Sequence, residues 1–146
     1  MARAEALCEA RGVKLTELRR QVLDLVWSGH RPLGAYEILT ELARLRGGKA
    51  QPPTVYRALE FLREQGLVHR VESLNAYVGC TAPDEQHQSQ LLLCRCCGDA
   101  AELQDTGGLA VLEERAVASG FRVERVTVEL SGVCPACAET QAGKQA

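Results

Sequence analysis

Two Cys-x-x-Cys turns, Cys94-Arg95-Cys96-Cys97 and Cys134-Pro135-Ala136-Cys137, stand 36 residues apart in a chain of 146, and each follows an apolar run. No other feature constrains the fold as much. Zinc prefers a tetrahedral shell, and a two-residue gap lets one tight turn aim two thiolates at the same ion. The quartet Cys94, Cys97, Cys134 and Cys137 therefore predicts one structural zinc. Four protein ligands leave no open position for a substrate, so its role is to staple a small domain that lacks core. Gly98 and Pro135 suit the turns, and the Cys97-Gly98 step fits a zinc knuckle better than pairing Cys94 with Cys96. The competing reading is a redox dithiol in Cys-Pro-Ala-Cys. Such motifs usually open a helix after an early strand, whereas Cys134 comes late in the sequence. Seven cysteines, an odd number, also point away from a disulfide framework.

Charge divides the chain. Residues 1–72 carry 12 Lys+Arg against 9 Asp+Glu, a net of +3, whereas residues 73–146 carry 5 against 10, a net of −5. Only the first half is expected to meet phosphates. With 46% hydrophobic and 25% charged residues the composition is that of an ordinary globular protein. No apolar run approaches the roughly 20 residues that span a bilayer, and the opening MARAEALCEARG has no apolar core, so a cytoplasmic protein without membrane contact is expected. The chain contains no G-x-S-x-G, no phosphate-binding glycine loop and no H-E-x-x-H, so neither an enzyme nor a small-molecule substrate is expected.

The first half predicts short helices punctuated by glycine. Thr16 caps a helix over residues 17–28, with Leu18, Val22, Leu25 and Val26 on one face; a second covers residues 35–46, with Ile38, Leu39 and Leu42 inward. A third starts at Pro52-Pro53, which fits only a helix start, and repeats Val55, Leu59 and Leu62 before Gly66 ends it. Its opposite face carries Thr54, Tyr56, Arg57 and Glu60. The runs LVHRVE and AYVGC, joined by Ser73-Leu74-Asn75, then read as a hairpin. Helices followed by a small hairpin make a winged helix-turn-helix. Beyond the polar stretch TAPDEQHQ the pattern gives strand QLLLC, the CRCCG turn, strand AAELQ, a helix near residues 109–119 and a strand within FRVERVTVELSG. The predicted class is α+β: a winged-helix domain over residues 1–80, a hinge at 81–88, and a small α/β domain with the four-cysteine site over 89–146. Residues 1–12, with Cys8, are expected to add a packed helix, and the tail from residue 139 to fray.

Four further ligand types sit around the hairpin and linker: His69, Cys80, His87 and Glu102. Singly, each has an ordinary role as a satisfied histidine, a small buried hydrophobe or a solvated group. Their distribution is more telling, because two come from the wing and two from beyond it. An ion held there would fix the angle between domains, and a thiolate with imidazoles favours zinc over hard cations.

At QPPTVYRALEFLREQGLVHRVES the chain resembles the ferric uptake regulator family of metal-sensing repressors, and within it the zinc-uptake-regulator branch. RGVKLTELRRQVL, GAYEIL, PPTVYRAL, LVHRVES, AYVGC, CRCCG and GVCPAC follow in the family's order across almost the whole chain. The resemblance implies a winged-helix domain joined by a hinge to a dimerisation domain, with Cys94, Cys97, Cys134 and Cys137 on structural zinc. It implies a regulatory zinc at His69, Cys80, His87 and Glu102, hence two Zn²⁺ per chain, and repression of zinc-uptake genes by a homodimer on a palindromic double-stranded operator. The iron-sensing branch usually carries an H-H-D-H stretch before the first C-x-x-C. Here DEQHQSQ stands instead, which disfavours iron, although iron, manganese and peroxide sensors are the nearest alternatives.

In such a fold the helix from Pro53 enters the major groove, where an arginine can donate two hydrogen bonds to guanine O6 and N7. Arg57 is the expected base reader. Tyr36 and Tyr56 are similar to family residues that contact DNA, and Thr54 can hold a phosphate. For Tyr36, core packing is an equal alternative.

Overall fold

The computed structural model describes residues 1–48, 50–84, 90–103 and 107–142. Helix α1 (Ala2–Ala10) buries Ala4 and Cys8. Helix α2 (Glu17–Trp27) begins where the Thr16 hydroxyl accepts the Arg19 N–H, and buries Val22, Leu23 and Val26. The short strand β1 (Leu33–Gly34) leads into α3 (Ala35–Leu45), whose Glu37 carboxylate accepts the Gly34 N–H at 2.8 Å. Helix α4 (Pro52–Glu64) places both prolines in its first turn, where no intrahelical N–H bond is lost, and buries Val55, Ala58, Leu59 and Leu62. These inner stripes close into one core, with Leu67 and Val68 beneath them.

Strands β2 (Val68–Val71) and β3 (Ala76–Gly79) form the antiparallel wing, His69 opposite Val78, and β1 pairs with the outer edge of β3. Asn75 takes a φ of +47° in the connecting turn, a conformation that asparagine tolerates better than most residues. At the end of β3 the Trp27 ring lies so close to Gly79 that a Cβ there would fall 2.5 Å from Cδ1. Trp27 Nε1 and the Cys80 N–H both donate to the Leu67 carbonyl, each at 3.0 Å, so the chain leaves the wing along a fixed path.

The second sheet runs β5 (Ala100–Leu103), β4 (Gln90–Cys94), β6 (Val128–Gly132), with β4 antiparallel to β5 and parallel to β6. Helix α5 (Gly108–Ala118) makes the crossover, and α6 (Pro135–Ala142) follows the second cysteine turn. Wing and second sheet share a smaller core of Val71, Val78, Leu91, Leu93 and Ala100. The Ala100 N–H donates to the His30 carbonyl at 2.8 Å. From α1, Arg3 grips the Asp84 carboxylate through two nitrogens, and Arg11 donates to the Gln65 and Pro83 carbonyls.

The α+β architecture is the expected one, and the three central helices end within about one or two residues of their expected limits. The tail differs. It continues as helix to Ala142 rather than fraying from residue 139, and Thr140 Oγ1 donates to the Ala136 carbonyl at 2.9 Å. Strand β1 was not anticipated, because two residues are too few to show alternation. Of the expected hinge, residues 81–84 form a turn and 85–88 lie outside the described residues. Among the described residues, no helix is long and apolar enough to cross a membrane.

Candidate metal centres and nucleic-acid interface

The end of β4 and the start of α6 bring the four cysteines together. Backbone bonds shape the first turn: Gly98 N–H to the Cys94 carbonyl, Cys94 N–H to the Asp99 carbonyl, and Arg95 N–H to the Gly132 carbonyl at the end of β6. Gly98 closes it at a φ of +80°, a conformation that costs an ordinary side chain about 1–2 kcal/mol. The sulfurs of Cys94, Cys97, Cys134 and Cys137 all lie within 4.8 Å of one another, and Cys97 and Cys134 Sγ are 3.8 Å apart. Zinc–sulfur bonds of about 2.3 Å at a tetrahedral angle set neighbouring sulfurs ~3.8 Å apart, so the donor set fits one zinc ion.

The backbone N–H groups of Cys134, Cys97 and Cys96 pull the Cys94 thiol down to about 5, while hydrogen bonding to Cys134, then burial, pushes Cys137 up to about 12. A cation that takes all four as thiolates must displace the protons they share. Cys134 does open a helix, which removes the placement argument against a redox turn. The stronger reason for metal is the facing pair from β4, since a redox dithiol needs only one turn. Cys96, between Cys94 and Cys97, is exposed.

A second cluster lies where the wing meets β5. His69 Nε2 and Glu102 Oε1 are 2.8 Å apart, both side chains nearly buried, and the donor atoms of His69, Cys80 and Glu102 fall within 4.8 Å of one another. Thr81 holds the other carboxylate oxygen, donating from its N–H at 3.0 Å and its hydroxyl at 2.8 Å. Burial pushes the Glu102 carboxyl up, but the bonds from His69 and Thr81 outweigh it and hold the group well below the usual carboxylate range. At Cys80 burial wins: the thiol is pushed up to about 11, the Ala82 N–H opposing and the Glu102 charge adding to the rise.

One imidazole, one thiol and one carboxylate are zinc-type donors, one short of a tetrahedral set. The fourth expected ligand, His87, lies outside the described residues. A cleft of about 460 Å³, lined by Arg3, Trp27, Cys80, Thr81 and Glu102 among others, gives the cluster access to solvent. Thr81 was not singled out from the sequence. Its only signal there was adjacency to Cys80.

On α4, Thr54, Tyr56 and Arg57 are exposed while Val55 and Ala58 face the core, so the expected reading face is free of packing duties. Tyr36 is 75% exposed, which rules out its alternative role in the core. Arg19 stacks over the Phe61 ring at 3.4 Å and braces α4 against α2.

The family model for the ferric uptake regulator family matches residues 10–131. The zinc uptake regulation protein of Escherichia coli (strain K12) is 41% identical over 143 residues, 97% of this chain and 83% of that protein. A solved zinc uptake regulator complexed with zinc and DNA superposes at a TM-score of 0.91, at 40% identity over 97% of this chain and 94% of that one. XcZur is 43% identical in both of its forms. Its holo structure superposes at 0.83, covering 92% of this chain and 94% of that one, and its apo structure at 0.51, covering 92% of each. With sequence match equal, conformation makes the difference, and the present chain is arranged like the holo form.

Proposed function

The chain belongs to the ferric uptake regulator family, and on that premise we propose that it is a zinc-responsive DNA-binding repressor of zinc-uptake genes that binds a palindromic operator as a homodimer when zinc-loaded. It is a regulator and not an enzyme. The observation that carries the reading is the convergence of His69 and Cys80, both at the open end of the wing, with Glu102 of β5.

We assign two zinc ions to each chain. Cys94, Cys97, Cys134 and Cys137 hold the structural ion; His69, Cys80, Glu102 and His87 hold the regulatory one. A bound zinc ion supplies a four-coordinate cross-link between donors that otherwise share only hydrogen bonds. Ligation through His69 and Cys80 on one side and Glu102 on the other ties the wing to the second sheet. Thr81, bonded to one oxygen of Glu102, would keep the other aimed at an ion that His69 and Cys80 also reach, the usual work of a group behind a ligand. With the tie made, the two winged-helix domains (residues 1–80) of a dimer keep one separation, and α4 of each can meet successive major grooves. Without it they sample many separations, and operator affinity falls with the share of time spent in the matching one.

Dimerisation is supported by the apolar surface of the second domain (residues 89–146). Helix α5 buries only Leu109, while Leu112, Val117 and Phe121, with Leu92 and Leu130 on the outer face of the sheet, are exposed. So large an apolar surface on one chain marks an interface. Arg57 of α4 reads bases, and Tyr56, Thr54 and Tyr36 add contacts to the duplex. A repressor that works on operator DNA acts in the cytoplasm.

The test is the zinc content of Cys80→Ser after dialysis against a weak chelator. The reading expects one zinc per chain, folded and dimeric, with zinc-dependent operator binding lost. Two retained zincs and intact zinc-dependent binding would overturn it.

A further inference from the structure

Beyond the shared apolar core, two carboxylates of the second sheet bind the wing among the described residues, and only one of them is a candidate metal ligand. Across sheet β5-β4-β6, Leu91 of β4 pairs with Glu102 on one side and with Glu129 on the other, so the two carboxylates stand in one row. That row faces the wing: Leu91 and Leu93 enter the shared core with Val71 and Val78, whereas Leu92 and Leu130 face away and are exposed. Two strand spacings of about 4.8 Å put the carboxylates ~10 Å apart along the row. Glu102 meets the His69 end of the wing. Glu129 meets the turn end, where Oε1 accepts the Glu72 N–H at 2.6 Å and Oε2 accepts the Ser73 N–H at 3.2 Å.

We propose that Glu129 is a positioning residue of the zinc switch, a carboxylate latch that clasps two successive backbone N–H groups of the wing turn and so supplies the second point of attachment needed to fix the DNA-binding domain. The proposal rests on the function assigned above. A body tied at one point can swing in any direction, whereas ties at two points ~10 Å apart leave only rotation about the line that joins them, which the shared core of Val71, Val78, Leu91 and Leu93 opposes. A carboxylate shared between consecutive N–H donors forms charge-assisted bonds, stronger than neutral ones. Burial pushes Glu129 up, but its bonds to the Ser73 side chain and to the Glu72 and Ser73 backbone prevail and hold it below its ordinary value, so it stays ionised in the clasp. Beside it Glu72 spans Arg70 at 3.2 Å and Arg125 at 3.3 Å, a second bridge between the wing and the segment entering β6. Because β6 runs on into Cys134, the latch also connects the wing to the four-cysteine centre.

The experiment compares wild type, Glu129→Ala, Glu129→Gln and Cys80→Ser as zinc-loaded dimers. Operator binding is titrated against buffered free zinc, and hydrogen exchange is followed at the Glu72 and Ser73 amides. Losing two charge-assisted bonds should raise the free zinc at half-maximal binding by about tenfold or more in Glu129→Ala, with a smaller rise in Glu129→Gln, which keeps one accepting oxygen. Zinc per chain at saturation and the dimer should be unchanged, and the two amides should exchange at least about tenfold faster. An unchanged zinc midpoint, or unchanged exchange at both amides, overturns the latch. If Cys80→Ser loses zinc dependence while the Glu129 variants match wild type, only the latch fails. Retained zinc dependence in Cys80→Ser overturns the function assigned above.

Discussion

In the proposed regulatory centre, Cys80 is the residue whose proton sets the response to pH. Its thiol titrates at about 11 instead of 9.0, so it is protonated at neutral pH, and zinc must expel that proton to gain a thiolate. Glu102, held low, is already ionised and releases none. Below about pH 11 a higher pH lowers the cost of deprotonation, and apparent zinc affinity at this site should rise by ~tenfold per unit. Competition titrations against a chelator of known pH dependence at pH 7 and 8 check this, and a flat response would exclude Cys80 as a ligand. The four-cysteine centre was legible in the sequence because its spacing is itself the geometry of a turn. His69, Cys80 and Glu102 were legible as residue types, but Thr81 and Glu129 were not. Their partners lie 21 and about 57 residues away, and an ordinary threonine or glutamate carries no mark of the hydrogen bond it will make.

Among the elements, α4 joins the core to the face proposed to meet the nucleic acid. Its buried stripe of Val55, Ala58, Leu59 and Leu62 leaves Thr54, Tyr56 and Arg57 outward, and the prolines fix where the helix begins. Arg57→Ala should leave the fold intact, since the side chain packs in no core. It should weaken binding by about 1–3 kcal/mol and relax preference at one base pair of each half-site. Fluorescence anisotropy on an operator and its single-base variants measures both; an equal loss on every sequence would assign Arg57 to phosphate instead. Periodicity and caps gave away α2, α3 and α4, each amphipathic against one core. It told less about the second domain, where α5 is apolar on faces that one chain leaves uncovered. A helix partnered by a second copy does not separate its inside from its outside within one sequence. Strand β1 and helix α6 escaped because the first is too short to alternate and the second depends on the cysteine turn that starts it.

At the scale of the whole molecule the chain is two small cores joined through the wing, with a net charge of +3 over residues 1–72 and −5 over residues 73–146. The positive part carries the exposed face of α4, and the negative part carries the four-cysteine centre and the apolar surface. In the proposed switch this division gives metal control of DNA binding a physical basis, because the two halves meet at the wing, where His69 and Cys80 approach Glu102. The chain superposes better on a zinc uptake regulator complexed with zinc and DNA than on apo XcZur, so its two halves are arranged as in that complex. The most direct test is binding of the dimer to a palindromic operator, selected from random DNA in excess zinc, titrated against buffered free zinc, iron(II) and manganese(II) with the four-cysteine centre kept filled. The account expects affinity to rise steeply over one zinc window, with iron(II) and manganese(II) unable to substitute at comparable free concentrations. Operator affinity that is constant across the zinc series, or that follows iron(II) equally well, would contradict it.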